Sequence, residues 1–258
     1  DIEKKVNNDF SANLATREES FTYTLETQVP NNAYMFEIGD TLEPVLEFDG
    51  TATVELDGKD VTSEASVETV DAKKTVGSEE QDTKRLVVKL TQDQVTKNPG
   101  KSVKVTFKAK IKAGASLAAY ITNDGVKIPN KANYMINNNP DITKDSNEVP
   151  VTPPPTTPDI SKKVNGQAHV DLGARDEEFT YTIETTVPEN ATVFGITDTL
   201  VDALEFVGDA SAVVATVDGE TITNVKIEGQ KLSVDLDKQQ VLNKFGKAVK
   251  VEFKAKIK

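Results

Sequence analysis

Cysteine is absent from this 258-residue chain. That excludes a disulfide framework, a thiolate metal site and a cysteine nucleophile. Histidine occurs once, at His169, so a Ser-His-Asp triad can form at most once, and His169 reads as a surface strand or loop residue. No run approaches the roughly 20 apolar residues that a membrane helix needs, so no membrane insertion is expected of this segment. No leader peptide opens the chain at Asp1. Positive charge is short as well: 30 Lys and Arg face 42 Asp and Glu, for a net charge of −12 and a pI near 4.7. Phosphate recognition needs the opposite sign, and nucleic acid is not expected as a partner.

What the chain does contain, it contains twice. FTYTLETQVPNNA at 21–33 returns as FTYTIETTVPENA at 179–191, and KSVKVTFKAKIK at 101–112 returns as KAVKVEFKAKIK at 247–258. The length prior allows one or two domains, and the repeat selects two, each large enough for its own core. The copies align at an offset of 158, from Phe21 and Phe179, which falls to 146 by Val103 and Val249. The difference arises between about Asp57 and Arg85, where copy one carries the charge-rich excursion SEASVETVDAKKTVGSEEQDTKR. It reads as a hairpin or loop extension, which varies without touching the core. Between the copies VPVTPPPTTPD, residues 149–159, carries five prolines and reads as a semi-rigid extended spacer. The expected organisation is a first repeat at 1–150, a Pro-rich linker at 151–158 and a second repeat at 159–258. Copy two ends at Lys258 where copy one still has a strand and a half to run. With no leader present, either a cytosolic protein or a piece of a longer exported one is possible, and the second is expected.

Period-two alternation is plain at 103–111, where Val103, Val105, Phe107, Ala109 and Ile111 share one face and lysines hold the other. Those lysines read as a solvated face that discourages edge pairing. Phe21, Tyr23 and Leu25 alternate with Thr22, Thr24 and Glu26 in the same way. A short helical turn is expected over 91–100, opened by Thr91 as N-cap with Gln94 three residues on and closed by Pro99 and Gly100. Seven or more strands per copy, separated by turn signals at Asp49-Gly50, Asp57-Gly58 and Asp124-Gly125, point to an all-β fold: two tandem immunoglobulin-like β-sandwiches joined by the Pro-rich linker.

Three polar residues sit where apolar ones are expected. Ile2, Lys4 and Val6 fall on one strand face, so a core position for the apolar pair turns Lys4 inward. Desolvation then lowers the lysine pKa toward the neutral, nucleophilic amine. The plainer reading has Lys4 snorkelling to the rim or pairing with a carboxylate. Lys162 repeats the position between Ile160 and Val164. Asp40, in IGDTL, follows a hydrophobic stretch and reads either as a buried carboxyl, kept protonated by desolvation, or as a turn residue capping the next segment. Asp198 is its counterpart in ITDTL. Asn130 follows Pro129 at the opening of a strand whose inward residues include Ala132 and Tyr134, although Asn is disfavoured in strands. The competing reading is a turn asparagine, with Asn133 as the alternative. The Asn and Asp cluster NNNPDITKD at 137–145 supplies oxygen donors but lacks the spacing of a calcium loop, and neither a metal nor a cofactor is expected.

The order IxKxV, FTYTxExxVP, DTL, KVxFKAKI and PNKANY resembles the isopeptide-forming domains of Gram-positive surface proteins, and most nearly the fimbrial D2-type repeats of pilins and wall-anchored adhesins. The resemblance covers copy one whole and copy two as far as it runs. It implies that Lys4 attacks the carboxamide of Asn130 while Asp40 moves the protons, ammonia leaving in a single turnover, with Lys162 and Asp198 matching in copy two. It also implies no enzyme activity on an external substrate, a place on the bacterial cell wall, and other domains of the same surface protein as partners. Such a link would enclose most of the first repeat and be worth roughly 5 kcal/mol by analogy with a disulfide. Copy two ends before the strand that would carry its asparagine. The rival expectation is a host-protein-binding module that uses a sandwich face or the 63–85 excursion, in which charge reversal at Glu79, Glu80 or Lys84 would weaken binding.

Overall fold

The computed structural model describes all 258 residues and divides them into two compact units, the first comprising Asp1–Ile121 and Val126–Pro154, the second Thr122–Gly125 and Pro155–Lys258. In chain order the first repeat forms β1 (Glu3–Val6), β2 (Ala12–Asn13), β3 (Phe21–Gln28), β4 (Phe36–Thr41), β5 (Leu46–Phe48), β6 (Thr53–Leu56), β7 (Lys59–Asp60), β8 (Ser66–Val76), β9 (Glu79–Lys89), α1 (Gln92–Lys97), β10 (Ser102–Ile111), β11 (Ile121–Thr122), β12 (Gly125–Val126), β13 (Ile128–Asn130), β14 (Ala132–Ile136), β15 (Asn139–Asp145) and β16 (Val149–Thr152). The second forms β17 (Ser161–Val164), β18 (Phe179–Thr186), β19 (Gly195–Thr199), β20 (Leu204–Phe206), β21 (Val214–Val217), β22 (Glu220–Thr221), β23 (Asn224–Glu228), β24 (Lys231–Asp235), α2 (Lys238–Asn243) and β25 (Ala248–Ile257). The fold is all-β, as the alternation requires, and no helix is long and apolar enough to cross a membrane.

In the first unit one sheet runs β1-β3-β10-β6-β7 with β5 also on β10, a second runs β15-β14-β4-β9-β8, and a third runs β13-β16-β2. The alternating residues of β3 and β10 turn Phe21, Tyr23, Leu25, Val103, Val105 and Phe107 into the core. Turn chemistry follows the sequence: Asp57 and Gly58 both take positive φ, 51° and 77°, between β6 and β7. That backbone matches the twist of a two-residue hairpin and tolerates Asp and Gly best. The helical turn forms with Thr91 as N-cap, and Thr91 and Gln94 complete a reciprocal capping box. Asp237 and Gln240 build the same box on α2.

The excursion is a hairpin extension. Strands β8 and β9 have 11 residues each, while β23 and β24 have 5. Those extra residues supply most of the fall in repeat offset, which is 161 at Asp57 and Asp218 and 146 by Val103 and Val249. One expectation needs correction: Val149–Thr152, read as the start of the polyproline spacer, are strand β16, antiparallel to β13 and parallel to β2. Val149 and Val151 are fully buried, and Pro150 stands opposite Pro129, so two residues without an N–H face each other. Burial of the alternate valines overrides the proline signal.

In the second unit β17-β18-β25-β21-β22, with β20 on β25, repeats the first sheet, and β19-β24-β23 repeats part of the second. Its core is built from Phe179, Ile183, Val234, Val251 and Phe253 among others. Strand β4 is flanked by β14 and β9, whereas β19 pairs with β24 alone.

Candidate functional site

Each of the three singled-out residues of the first unit comes from a different sheet. Lys4 lies on β1 opposite Leu25, Asp40 on β4 opposite Leu86 and Ala132, and Asn130 at the end of β13 opposite Val149. All are buried: Lys4 and Asp40 are 0% exposed and Asn130 is 1% exposed. The ammonium of Lys4 therefore does not snorkel. It donates to Asp40 Oδ2 in a buried ion pair and sits 3.9 Å from the centre of the Tyr23 ring and 5.1 Å from that of Phe107.

Two local expectations change. Asp40 is a strand residue and not a turn cap, because Phe36, Ile38 and Asp40 alternate into the interior of β4. Asn130 does not open the strand of Ala132 and Tyr134 but closes the preceding one: pairing leaves β16 after Asn130 and resumes on β4 at Ala132. The asparagine thus sits where the chain changes sheet, one position past the strand proline.

Asn130 and Asn133 are separated by what their side chains meet. The Asn133 Oδ1 accepts from Arg85 Nη2 at 2.9 Å, and Arg85 also donates to Thr41. Both carboxamide atoms of Asn130 are buried with no hydrogen-bond partner, as are Asp40 Oδ1 and the Tyr23 hydroxyl. An unmade bond of this kind costs roughly 1–3 kcal/mol per group. Four orphaned atoms on three neighbouring residues are the least expected feature of the unit.

The electrostatics follow from enclosure. Burial pushes the Lys4 ammonium below its ordinary pKa, with the charge and hydrogen bond of Asp40 opposing and Lys74 adding a smaller downward push. Burial also drives the Tyr23 phenol well above its usual range, the Asp40 charge adding to this and the Asn130 side chain opposing it. Tyr23 is therefore the common neighbour, with Lys4 over its ring and the Asn130 side chain near its hydroxyl but short of hydrogen-bond geometry. Sequence reading placed Tyr23 only in the core; its return as Tyr181 in the repeated FTYT was the available signal. Asn147 was missed too: its side chain accepts from Lys4 N and donates to Lys4 O, both at 2.9 Å, pinning β1 at the lysine.

The second unit has the same pair in a wetter setting. Lys162 lies 2.5 Å from Asp198 and 4.1 Å from the Tyr181 ring centre. The Lys162 side chain is 40% exposed and that of Asp198 7%, and the 258 residues contain no third-sheet asparagine for them. His169 is exposed and faces Asp171. The excursion's charges pair across its own strands, Lys73 with Glu80 and Lys84 with Asp71.

No family model matches the chain. It is 45% identical over its whole length to a segment of platelet adherence protein A of Streptococcus gordonii, and it spans 7% of that protein. The two segments are homologous. Among solved structures, the major pilin BcpA of Bacillus cereus is 18% identical with a TM-score of 0.44, covering 93% of this chain and 67% of that one. The N-terminal domain of the Streptococcus gordonii adhesin Sgo0707 is 18% identical with a TM-score of 0.42, covering 59% of this chain and 32% of that one.

Proposed function

We propose that the chain is a stalk segment of a Gram-positive cell-surface adhesin, and that its first repeat is locked by an autocatalytic isopeptide bond between Lys4 and Asn130. The observation that carries this reading is the burial of a lysine, an aspartate and an unpartnered asparagine together. Several kcal/mol of desolvation falls on each buried charge, and an ion pair alone seldom recovers it. A reaction that turns the charged pair into neutral groups removes that penalty.

The chemistry balances with these side chains alone. Lys4 passes a proton to Asp40, and the neutral amine attacks Asn130 Cγ. The new Nζ–Cγ bond forms as the Cγ–Nδ2 bond breaks. The departing nitrogen takes a second proton from Lys4, relayed by Asp40, and leaves as ammonia; Asp40 ends neutral. Fixed geometry replaces a second-order encounter, a gain that well-oriented groups reach without a cofactor. Tyr23 and Phe107 wall the amine from water, and Asn147 holds its backbone.

The bond would join the first and third sheets across the core, and an amide, unlike a disulfide, is not reduced. That suits a cysteine-free protein held outside the cell wall under tension, projecting binding functions carried elsewhere in the parent. Digestion of the denatured protein tests the reading: a branched peptide joining the Lys4 segment to the Asn130 segment is expected, and recovery of both as separate linear peptides would refute it.

A further inference from the structure

The short stretch Ser146-Asn147-Glu148-Val149, which runs from the end of β15 into β16, meets the backbone around all three reacting residues. Ser146 is buried and exchanges two bonds with Ala132: its N donates to Ala132 O at 2.8 Å, and its Oγ accepts from Ala132 N at 3.0 Å. Ala132 stands opposite Asp40 across β14 and β4, two positions beyond Asn130. Asn147 exchanges two bonds with Lys4, its Oδ1 accepting from Lys4 N and its Nδ2 donating to Lys4 O, both at 2.9 Å. The Ser146 hydroxyl donates to Asn147 O at 2.7 Å, which ties the two contacts together. Val149, fully buried, then stands opposite Asn130 across β16 and β13.

Lys4 lies where such a hold is needed. Strand β1 ends its sheet and pairs there with β3 alone. The N–H and C=O of Lys4 face the open edge, and the Asn147 carboxamide supplies the acceptor and donor that a neighbouring strand would otherwise supply. These bonds also set Asn147 apart from Asn130, since both ends of its carboxamide are engaged by backbone while neither end of Asn130's has a partner. The second unit has no segment corresponding to 146–149 within the 258 residues. Its Lys162 side chain is 40% exposed, where that of Lys4 is fully buried.

We propose that Ser146 and Asn147 are positioning residues for the Lys4–Asn130 reaction: their paired backbone bonds hold the strand of the nucleophile in register with the segment that carries the electrophile past Asp40. The inference rests on the cross-link reading above. Both residues act on backbone, so they set distance and angle at the reacting atoms without contributing to the proton transfers. A misplacement of about 1 Å is enough to slow a reaction between fixed groups about 10²-fold. The side chains around the Lys4 ammonium, Asp40 from β4, Tyr23 from β3 and Phe107 from β10, are left in place by substitution at 146 or 147.

The test uses the full chain, made in a short cell-free translation pulse and transferred to buffers from acidic to mildly alkaline pH, with loss of ammonia followed by denatured intact mass. Asn147→Ala is expected to slow the loss about 10- to 100-fold at every pH, with the shape of the pH profile unchanged because no titrating group is altered. Ser146→Ala, which gives up one of the two bonds to Ala132, slows it in the same way but less. Asn133→Ala, which gives up a bond on the same strand β14, keeps the parent rate. A parent that loses no ammonia overturns the cross-link reading and this inference with it. A reactive parent with Asn147→Ala at the parent rate overturns this inference alone. So does an Asn147→Ala whose pH profile moves, or an Asn133→Ala slowed as much, since the contact is then merely structural. If Asn147→Ala shows no cooperative urea transition, Asn147→Asp, which keeps the acceptor for Lys4 N and loses the donor to Lys4 O, is measured in its place: a slowed loss supports the inference and the parent rate overturns it.

Discussion

Replacing Asn130 with alanine removes the covalent contribution to stability. The Asn130 side chain has no hydrogen-bond partner, so its removal orphans none, while Lys4 and Asp40 keep the buried ion pair that the reaction neutralises in the parent, a cost that adds to the loss. What disappears is the constraint on the unfolded chain. A link from Lys4 to Asn130 closes a loop of about 126 residues, which the chain-entropy relation values at about 5 kcal/mol. For a unit of this size each kcal/mol moves Tm by about 2–4 °C, so the first unit of Asn130→Ala should melt about 10–20 °C below the parent. Calorimetry on the full chain reads this, with the second unit's transition as reference. A first-unit transition within about 3 °C of the parent would refute the reasoning, because less than about 1–2 kcal/mol would then separate linked from unlinked chains.

Asn133→Ala should leave the ammonia deficit intact and cost about 1 kcal/mol through the lost Arg85 bond, as read by urea unfolding. In the uncross-linked Asn130→Ala protein, Lys4 has a folded-state pKa below its ordinary 10.5. The unfolded state therefore binds more protons between the two values, so stability should rise with pH through that window and level off above 10.5. A flat difference against the same protein carrying Lys4→Met would contradict this. In the second unit, Lys162→Met should cost less than about 1 kcal/mol, because the pair is solvent-screened with Lys162 40% exposed. A larger loss by thermal melting would mean that this pair is enclosed as the first is.

Much of the site was legible from period and repetition. Lys4 was turned inward by its apolar neighbours Ile2 and Val6, which the structure buries beside it, and the repeated DTL drew attention to Asp40. The capping box at Thr91 was explicit in the sequence, and the same signal at Asp237 and Gln240 went unread. What alternation cannot supply is pairing between distant strands. Asn130 stands where the chain leaves one sheet for another, so local pattern assigned it to the wrong strand. Pro150 and the prolines that follow it masked β16, since a proline costs nothing where no N–H is needed. Ser146 and Asn147 gave no local sign that they hold Ala132 and Lys4, and only the fold brings these backbones together.

The most direct measurement is the intact mass of the denatured protein beside those of Lys4→Ala and Asn130→Ala. The account predicts a parent lighter than its sequence by one ammonia and two variants at full sequence mass. A parent at full sequence mass would contradict it, leaving Lys4 and Asp40 as a buried ion pair beside an unpartnered asparagine.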